Sequence, residues 1–260
     1  MVAAQGGPRA GARRLGDFLA SGLARYADER SHPDADAASG LSPWLHYGHV
    51  APQQVLHAVA ARHDWSADRL GPPQSGKKDG WWNIERNAEA FLDELVTWRE
   101  LGFHFAARVP DYDQYDSLPG WARATLAEHA ADPRPHVYDR ADFEDARTHD
   151  ELWNAAQTQL RRDGTITNYL RMVWGKKVLH WSTSPREALA ILIELNNRWA
   201  LDGRDPNSYS GIFCCLGRFD RAWGPERPVF GKVRFMTCLN SRRKLRLGEW
   251  LERFGTATRS

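Results

Sequence analysis

Two tryptophans, Trp174 and Trp181, stand seven residues apart in NYLRMVWGKKVLHW (168–181). Indole is the largest and one of the most easily oxidised side chains, so its spacing here bears on chemistry as well as packing. On an α-helix seven residues bring the chain back to nearly the same azimuth, about 10 Å further along the axis. Trp153 lies on the preceding helical segment, across a turn at Gly164. Electron tunnelling falls off exponentially with distance, so rings a few ångströms apart carry charge where one long jump cannot. A buried heptad-like stripe accounts for the same spacing, and both readings stand at this level. The chain holds twelve tryptophans, which keeps electron transfer and base stacking in view beside packing.

Three further groupings carry polar chemistry. In SGLSPWLHYGH, Ser39, Gly40, Leu41 and Ser42 lie where a loop enters a helix. Unpaired N–H groups there suit an anion; a plain cap followed by proline is the other reading. In DELVTWRE, Glu94 and Trp98 are four apart and share a helix face. An acid beside an indole can bond the edge and stack the face of a flat heterocycle, although a solvated glutamate beside a core tryptophan has the same spacing. In LNNRWALDGRDPNSY, Asn196 and Asn197 close a helix, and Asp202, Arg204, Asp205 and Asn207 form a polar loop with which Arg171 can pair. Glycine-rich dinucleotide and phosphate loops, a Ser–His–Asp order, zinc spacing and paired hydrolase carboxylates are all missing. His46 and His49 read as helix residues, and Cys214, Cys215 and Cys238 lack metal-ligand spacing.

The elements that must position these residues read as helices throughout. Leu15, Phe18, Leu19, Leu23 and Tyr26 give helical spacing over 13–30. LSPWLHYGHVAPQQVLHAVAARH reads as one helix opened by Ser42-Pro43, and 84–107 as another. WARATLAEHAA is a short helix between irregular stretches. THDELWNAAQTQLRRDG runs from a threonine cap to Gly164, and the tryptophan helix follows. SPREALAILIELNNRWALDG then starts with Pro185 in its first turn. GPPQSGKKDG (71–80) reads as a surface loop. With no period-two segment, the fold class is all-α: a linker over 1–12, a helical body over 13–255 and a disordered tail over 256–260.

The chain has 260 residues, 42% hydrophobic, with no apolar run that suits a membrane span and no secretory leader pattern. A cytoplasmic home and a monomer are expected. Net charge is only +2, yet 217–253 holds ten Lys or Arg against four Asp or Glu. A basic segment of that kind is the electrostatic footprint of a phosphate partner, or simply a solvated face.

Taken together and in order, SGLSPWLHYGH, FLDELVTWREL, THDELWNAAQTQL, NYLRMVWGKKVLHW, ELNNRWALDGRDPNSYSGIF and DRAWGPERPVFGKVRFM resemble class II cyclobutane pyrimidine dimer photolyases. The resemblance spans about Gly6 to Arg253 and covers the helical, FAD-binding half of those enzymes. Their α/β half, which holds an antenna chromophore, is not represented, so a separate antenna-domain polypeptide is an expected partner. It implies FAD as cofactor, UV-damaged DNA as partner, and light-driven splitting of a thymine dimer by one electron given and returned. Position by position, it implies FAD contacts at Tyr26, Ser39, Gly40, Leu41, Ser42 and Asp205. It further implies a salt bridge of Arg171 with Asp202 beside the flavin ring, and Asn196 near flavin N5. Trp153, Trp174 and Trp181 match the photoreduction chain, and Glu94 and Trp98 match lesion-binding residues. Arg221, Lys232, Arg234, Arg242 and Arg243, with Arg218 and Lys244, would track DNA phosphates.

Two positions depart from the family pattern. Cys214 stands where relatives stack a second tryptophan on the lesion, and Thr167 where a histidine is common. The first removes a platform of about 1–3 kcal/mol per base. A cryptochrome-like light sensor that has lost repair, or a truncated non-catalytic remnant, are therefore the competing expectations.

Overall fold

The computed structural model describes residues 2, 4–72 and 80–255. The tail expected over 256–260 and most of the loop expected over 71–80 lie outside the described residues. The all-α expectation holds: among the described residues the one extended pairing is an isolated bridge between Arg227 and Gly231. The chain divides into two units, Ala3–Leu101 and Gly102–Ser260, the latter grouped with the first two residues.

In the first unit α1 (Pro8–Asp17) starts inside the stretch read as linker, because Pro8 presets the first turn. The helix expected over 13–30 is one continuous path but not one helix. It passes through a π turn (Phe18–Gly22) and a 3₁₀ turn (Leu23–Arg25) into α2 (Tyr26–Glu29). The single helix expected from Ser42 is two, α3 (Ser42–His46) and α4 (Pro52–Arg62). Gly48, at φ +68°, breaks the first, and Pro52 opens the second. His49 is thus outside both helices, contrary to expectation, and its Nδ1 accepts the Gly7 amide at 3.1 Å. The helix expected over 84–107 is α5 (Arg86–Leu92), a π segment (Asp93–Trp98) and α6 (Arg99–Arg108) end to end. The core of this unit gathers Phe18, Tyr26, Phe91, Leu92 and Leu95, with Phe18, Tyr26 and Phe91 packed ring to ring at 4.7–5.7 Å.

The second unit holds α7 (Gly120–Glu128), α8 (Arg140–Glu144), α9 (Glu151–Asp163), α10 (Asn168–Trp181), α11 (Pro185–Trp199), α12 (Pro206–Cys215), α13 (Cys238–Lys244) and α14 (Gly248–Phe254). The cap of α9 is Asp150, whose carboxylate accepts the Trp153 amide, and not the threonine expected. Gly164 closes α9 in the left-handed region, and Ser184 caps α11 ahead of Pro185. Helices α8, α13 and α14, of five to seven residues, are too short for hydrophobic periodicity to show in the sequence.

Helix α10 is the centre of this unit, packed against α9, α11 and α12. Nine of its fourteen residues are buried, so it has no solvent stripe of the kind a surface helix shows. Gly175 permits the closest approach: a Cβ there would sit 2.4 Å from Cys215 Sγ on α12. In an exposed helix Gly→Ala gains about 1 kcal/mol, whereas overpacking a core costs about 1–3 kcal/mol. Gly175→Ala is therefore expected to lower stability by about 1 kcal/mol in chemical denaturation, and adding Cys215→Ala to restore it.

Candidate functional site

The three tryptophans of the row meet, but not in sequence order. Trp153 on α9 is the middle ring: it lies parallel to Trp174 at 6.4 Å and 7°, and edge-on to Trp181 at 6.1 Å and 68°. Helix α10 alone sets Trp174 and Trp181 two turns apart, and α9 places Trp153 in the gap. All three are at most 2% exposed. Two of the indole N–H groups are used in the assembly. Trp153 Nε1 donates to the Trp174 carbonyl at 3.0 Å, and Trp174 Nε1 to Gln157 Oε1 at 2.9 Å. Gln157 escaped the sequence reading, although its place one turn after Trp153 on the same helix face was a usable signal.

At the Trp181 end a ring of titratable groups gathers. The His149 imidazole lies 4.8 Å from Trp181, and the Lys177 ammonium is 5.4 Å from the same ring. Burial, followed by the charges of Lys177 and Arg134 and by His149 and His136, pushes His180 down to about 4. Burial likewise lowers Lys177 and His149.

At the Trp174 end, Arg171 lies one turn earlier on α10. It donates to both carboxylate oxygens of Asp202, at 3.0 and 3.4 Å, and both side chains are mostly buried. Asn196, in the last turns of α11, is 2% exposed, and its Nδ2 has no hydrogen-bond partner among the described residues. A buried amide left open in this way costs about 1–3 kcal/mol unless a ligand meets it. Asp205 is not the loop residue expected but the cap of α12, accepting the Asn207 amide at 2.9 Å. Thr167 caps nothing with its hydroxyl, which is also buried and open among the described residues.

The first unit holds the other candidates. Gly40 has φ +62°, and the Arg14 guanidinium packs against it while donating to the Ala38 and Ser39 carbonyls at 2.7 Å each. Leu41, the backbone cap of α3, donates its amide weakly to Ser39 Oγ at 3.4 Å, and Ser42 opens the helix. Arg14 thus brings a cation to the loop, which nothing in its sequence position foretold. Tyr26 is buried, and burial, with Glu94 adding to it, raises its phenol to about 12. Arg30 lies 5.2 Å over the Tyr26 ring and bonds Glu94. Glu94 is therefore ion-paired and not simply solvated. Trp98 donates Nε1 to Asp93 at 3.1 Å, and both lie on the π segment, an irregularity frequent at functional sites.

The basic segment is less uniform than its sequence suggests. Arg218 is turned inward, onto the Ser117 carbonyl and over Phe105, and so leaves the expected phosphate face. Arg221 and Arg234 flank the Trp223 ring at 4.3 and 5.1 Å. Lys232 pairs with Glu226 and Arg242 with Glu151. Arg243 and Lys244 are exposed in the last turn of α13. Cys214 is partly buried, and burial raises its thiol; its carbonyl accepts the almost fully buried Lys176 ammonium at 3.3 Å.

No family model matches the chain. It is nonetheless 41% identical over 230 residues to a deoxyribodipyrimidine photo-lyase of Oryza sativa subsp. japonica, covering 87% of this chain and 42% of that one. A photo-lyase of the same name from Methanothermobacter thermautotrophicus is 36% identical over 96% of this chain and 51% of its own. The chain spans about half the length of the curated relatives it matches. Among solved structures, a bacterial class III photolyase from Agrobacterium tumefaciens superposes with a TM-score of 0.67 at 19% identity, over 95% of this chain and 44% of that one. A Synechocystis sp. PCC6803 cryptochrome gives the same score at 18% identity, over 97% and 46%. The fold is thus that of the photolyase/cryptochrome helical domain. Over the half of those relatives that it spans, the chain is similar to photolyases in sequence and in fold.

Two outcomes follow from the site. Asp202→Ala strands the Arg171 charge, and breaking a buried pair from one side costs about 3 kcal/mol or more; chemical denaturation should show it. His180 is neutral when folded, whereas the unfolded chain takes up that proton below about pH 6.5. The stability it contributes is then complete above that pH and is lost as pH falls toward 4. Denaturation midpoints measured from pH 7.5 to 4.5 should drop less in His180→Gln than in the parent.

Proposed function

We propose that this chain is the catalytic half of a light-driven, FAD-dependent DNA photolyase of the class II type, splitting cyclobutane pyrimidine dimers. The observation that carries the reading is the buried row Trp174–Trp153–Trp181, whose Trp174 end adjoins the Arg171–Asp202 pair and whose rings lie 6.1–6.4 Å apart.

The residues present suit an FAD. The open amide of Asn196 is the kind of buried donor that a flavin ring edge satisfies. Arg171 and Asp202 would flank that ring, with Asp205 fixing the turn beside them. The resemblance also assigns FAD contacts to Tyr26 and the Ser39–Gly40–Leu41–Ser42 loop, to which Arg14 adds charge. When bound, FAD supplies light absorption and one-electron chemistry. The chain supplies the rest. The tryptophan row would supply electrons that reduce the oxidised cofactor, and its burial would keep oxidised rings from water. Glu94, held by Arg30, would bond the edge of a flipped pyrimidine, and Trp98 would stack its face. Flipping costs least where pairing is already broken by damage, which favours the lesion. Arg221, Lys232, Arg234, Arg242 and Arg243 would meet phosphates, so affinity for damaged DNA should fall steeply with salt.

A cryptochrome-like sensor is the second reading, and Cys214 favours it, since a thiol offers no stacking face. Illumination of the reduced, flavin-loaded protein with a dimer-containing oligonucleotide separates the two. Restored thymines support repair; flavin photoreduction with the dimer intact supports the sensor. Cys214→Trp is expected to tighten lesion binding on the order of ten-fold or more if stacking is what Cys214 lacks. Trp174→Phe should leave the protein yellow but stop its bleaching under blue light with a reductant. A Trp174→Phe protein that bleaches at the parental rate would remove the row from the mechanism.

A further inference from the structure

The hydrogen bonds inside the tryptophan row differ in kind from those a proton-releasing radical needs, and that difference assigns a role to Gln157. An indole that loses one electron becomes a radical cation and a much stronger N–H acid. Whether its proton stays depends on what accepts the N–H bond. Trp174 Nε1–H donates to the Gln157 amide oxygen at 2.9 Å, and Trp153 Nε1–H to the Trp174 carbonyl at 3.0 Å. Neither oxygen takes up a proton near neutral pH. Gln157 is itself 0% exposed. Its orientation is fixed from the other side, since Nε2 donates to the Glu144 carbonyl at 3.2 Å. That carbonyl also accepts Arg161 Nη1 at 2.9 Å, so the amide cannot turn its NH₂ toward the indole without losing its own acceptor.

We propose that Gln157 is a positioning residue of the electron path: it stabilises positive charge on Trp174 while holding the indole proton in place. The inference rests on the reading above, in which a bound, photoexcited oxidised flavin is the oxidant. One electron leaves Trp174 for that flavin, and Trp174 becomes the radical cation. Trp153 then gives one electron to Trp174, restoring the neutral indole, and Trp181 gives one to Trp153. No bond to hydrogen breaks in the first two transfers. A base beside Trp174 would instead take the proton and leave a neutral radical, which cannot be refilled by an electron alone. Among the described residues, the His149 and His180 imidazoles and the Lys177 side chain lie against the row at its Trp181 end.

Gln157→Met keeps the length and removes the acceptor, and Gln157→His puts a base in its place. In flavin-free protein, exchange of the Trp174 Nε1 proton, read by NMR, should quicken about tenfold or more in Gln157→Met while that of Trp153 stays slow. With flavin bound, Gln157→Met should slow photoreduction by at least about tenfold, the factor that goes with losing a hydrogen bond to a charged group. Gln157→His at pH 8 should show a neutral tryptophan radical after a laser flash, and a rate that drops in D₂O where the parent's inner steps do not. Parental bleaching rates and parental radical spectra in both variants would overturn the proposal, as would unchanged Trp174 exchange. Should the parent itself bind flavin but never bleach, the electron-transfer reading falls. The exchange measurement still decides the hydrogen bond.

Discussion

The bond from Trp153 Nε1 to the carbonyl of Trp174 is the constraint around which the second unit is arranged. A backbone carbonyl inside a helix already receives one bond within its own turn, so a second donor can reach it only from a closely packed neighbour. That requirement brings α9 flat against α10 and lays the two indoles parallel. Trp174 returns the contact through Gln157, one turn after Trp153, so each tryptophan's polar edge is satisfied by the other's helix. Buried indoles need such partners, since an open N–H in an apolar core costs about 1–3 kcal/mol. The same two bonds fix the distance and angle on which electron transfer depends. Packing and electron transfer are therefore not rival explanations of these residues. The geometry that satisfies the core is also the geometry that the proposed electron path would use.

Helix α10 carries the strain of this arrangement. It is buried on nearly all sides yet contains two lysines, each 6% exposed or less. Burial lowers both ammonium groups by more than the nearby carboxylates, Asp220 for Lys176 and Asp150 for Lys177, raise them. Lys176 spends its charge on the Cys214 carbonyl, and Lys177 lies over the Trp181 and Phe235 rings at 5.4 Å. Cation–π contact of that kind recovers part of the desolvation cost. It also disfavours positive charge on Trp181, so on the proposed path a hole reaching that ring would be held only if a proton or an electron moved there. The two ends of the row are thus unlike: Trp174 adjoins the Arg171–Asp202 pair, and Trp181 adjoins imidazoles with lowered proton affinity.

How much of this was legible in the sequence depends on whether a feature is local. The all-α class, the Gly164 stop and the Pro185 start are written in short-range spacing, and they stand. The resemblance in motif order carried the family, because several long strings matched together. What failed was the reading of interruptions. Gly48 inside an apolar helical pattern looked like a tolerated glycine, yet at φ +68° it ends α3, and Pro52 confirms the break. The π segment at Asp93–Trp98 leaves no signature in residue type, since it inserts a register shift and not a breaker. Asp205 looked like one charge among several in a loop, but Asp-Pro ahead of a small-residue run is a cap and a first turn. Arg218 counted as surface charge in the basic segment, and only tertiary packing shows it turned onto Phe105.

The middle place of Trp153 was beyond the sequence for a different reason. Spacings of twenty-one and seven residues say that three rings can lie near one another, but not which touches which. The order is set by how α9 crosses α10; Ala155 and Ala156 keep α9 slim where it is fully buried, and on α10 Gly175 admits Cys215 of α12. Larger side chains at these places would push the helices apart by an ångström or more, and tunnelling would weaken exponentially with that distance. The close packing of the row therefore depends as much on the small residues around it as on the three indoles within it.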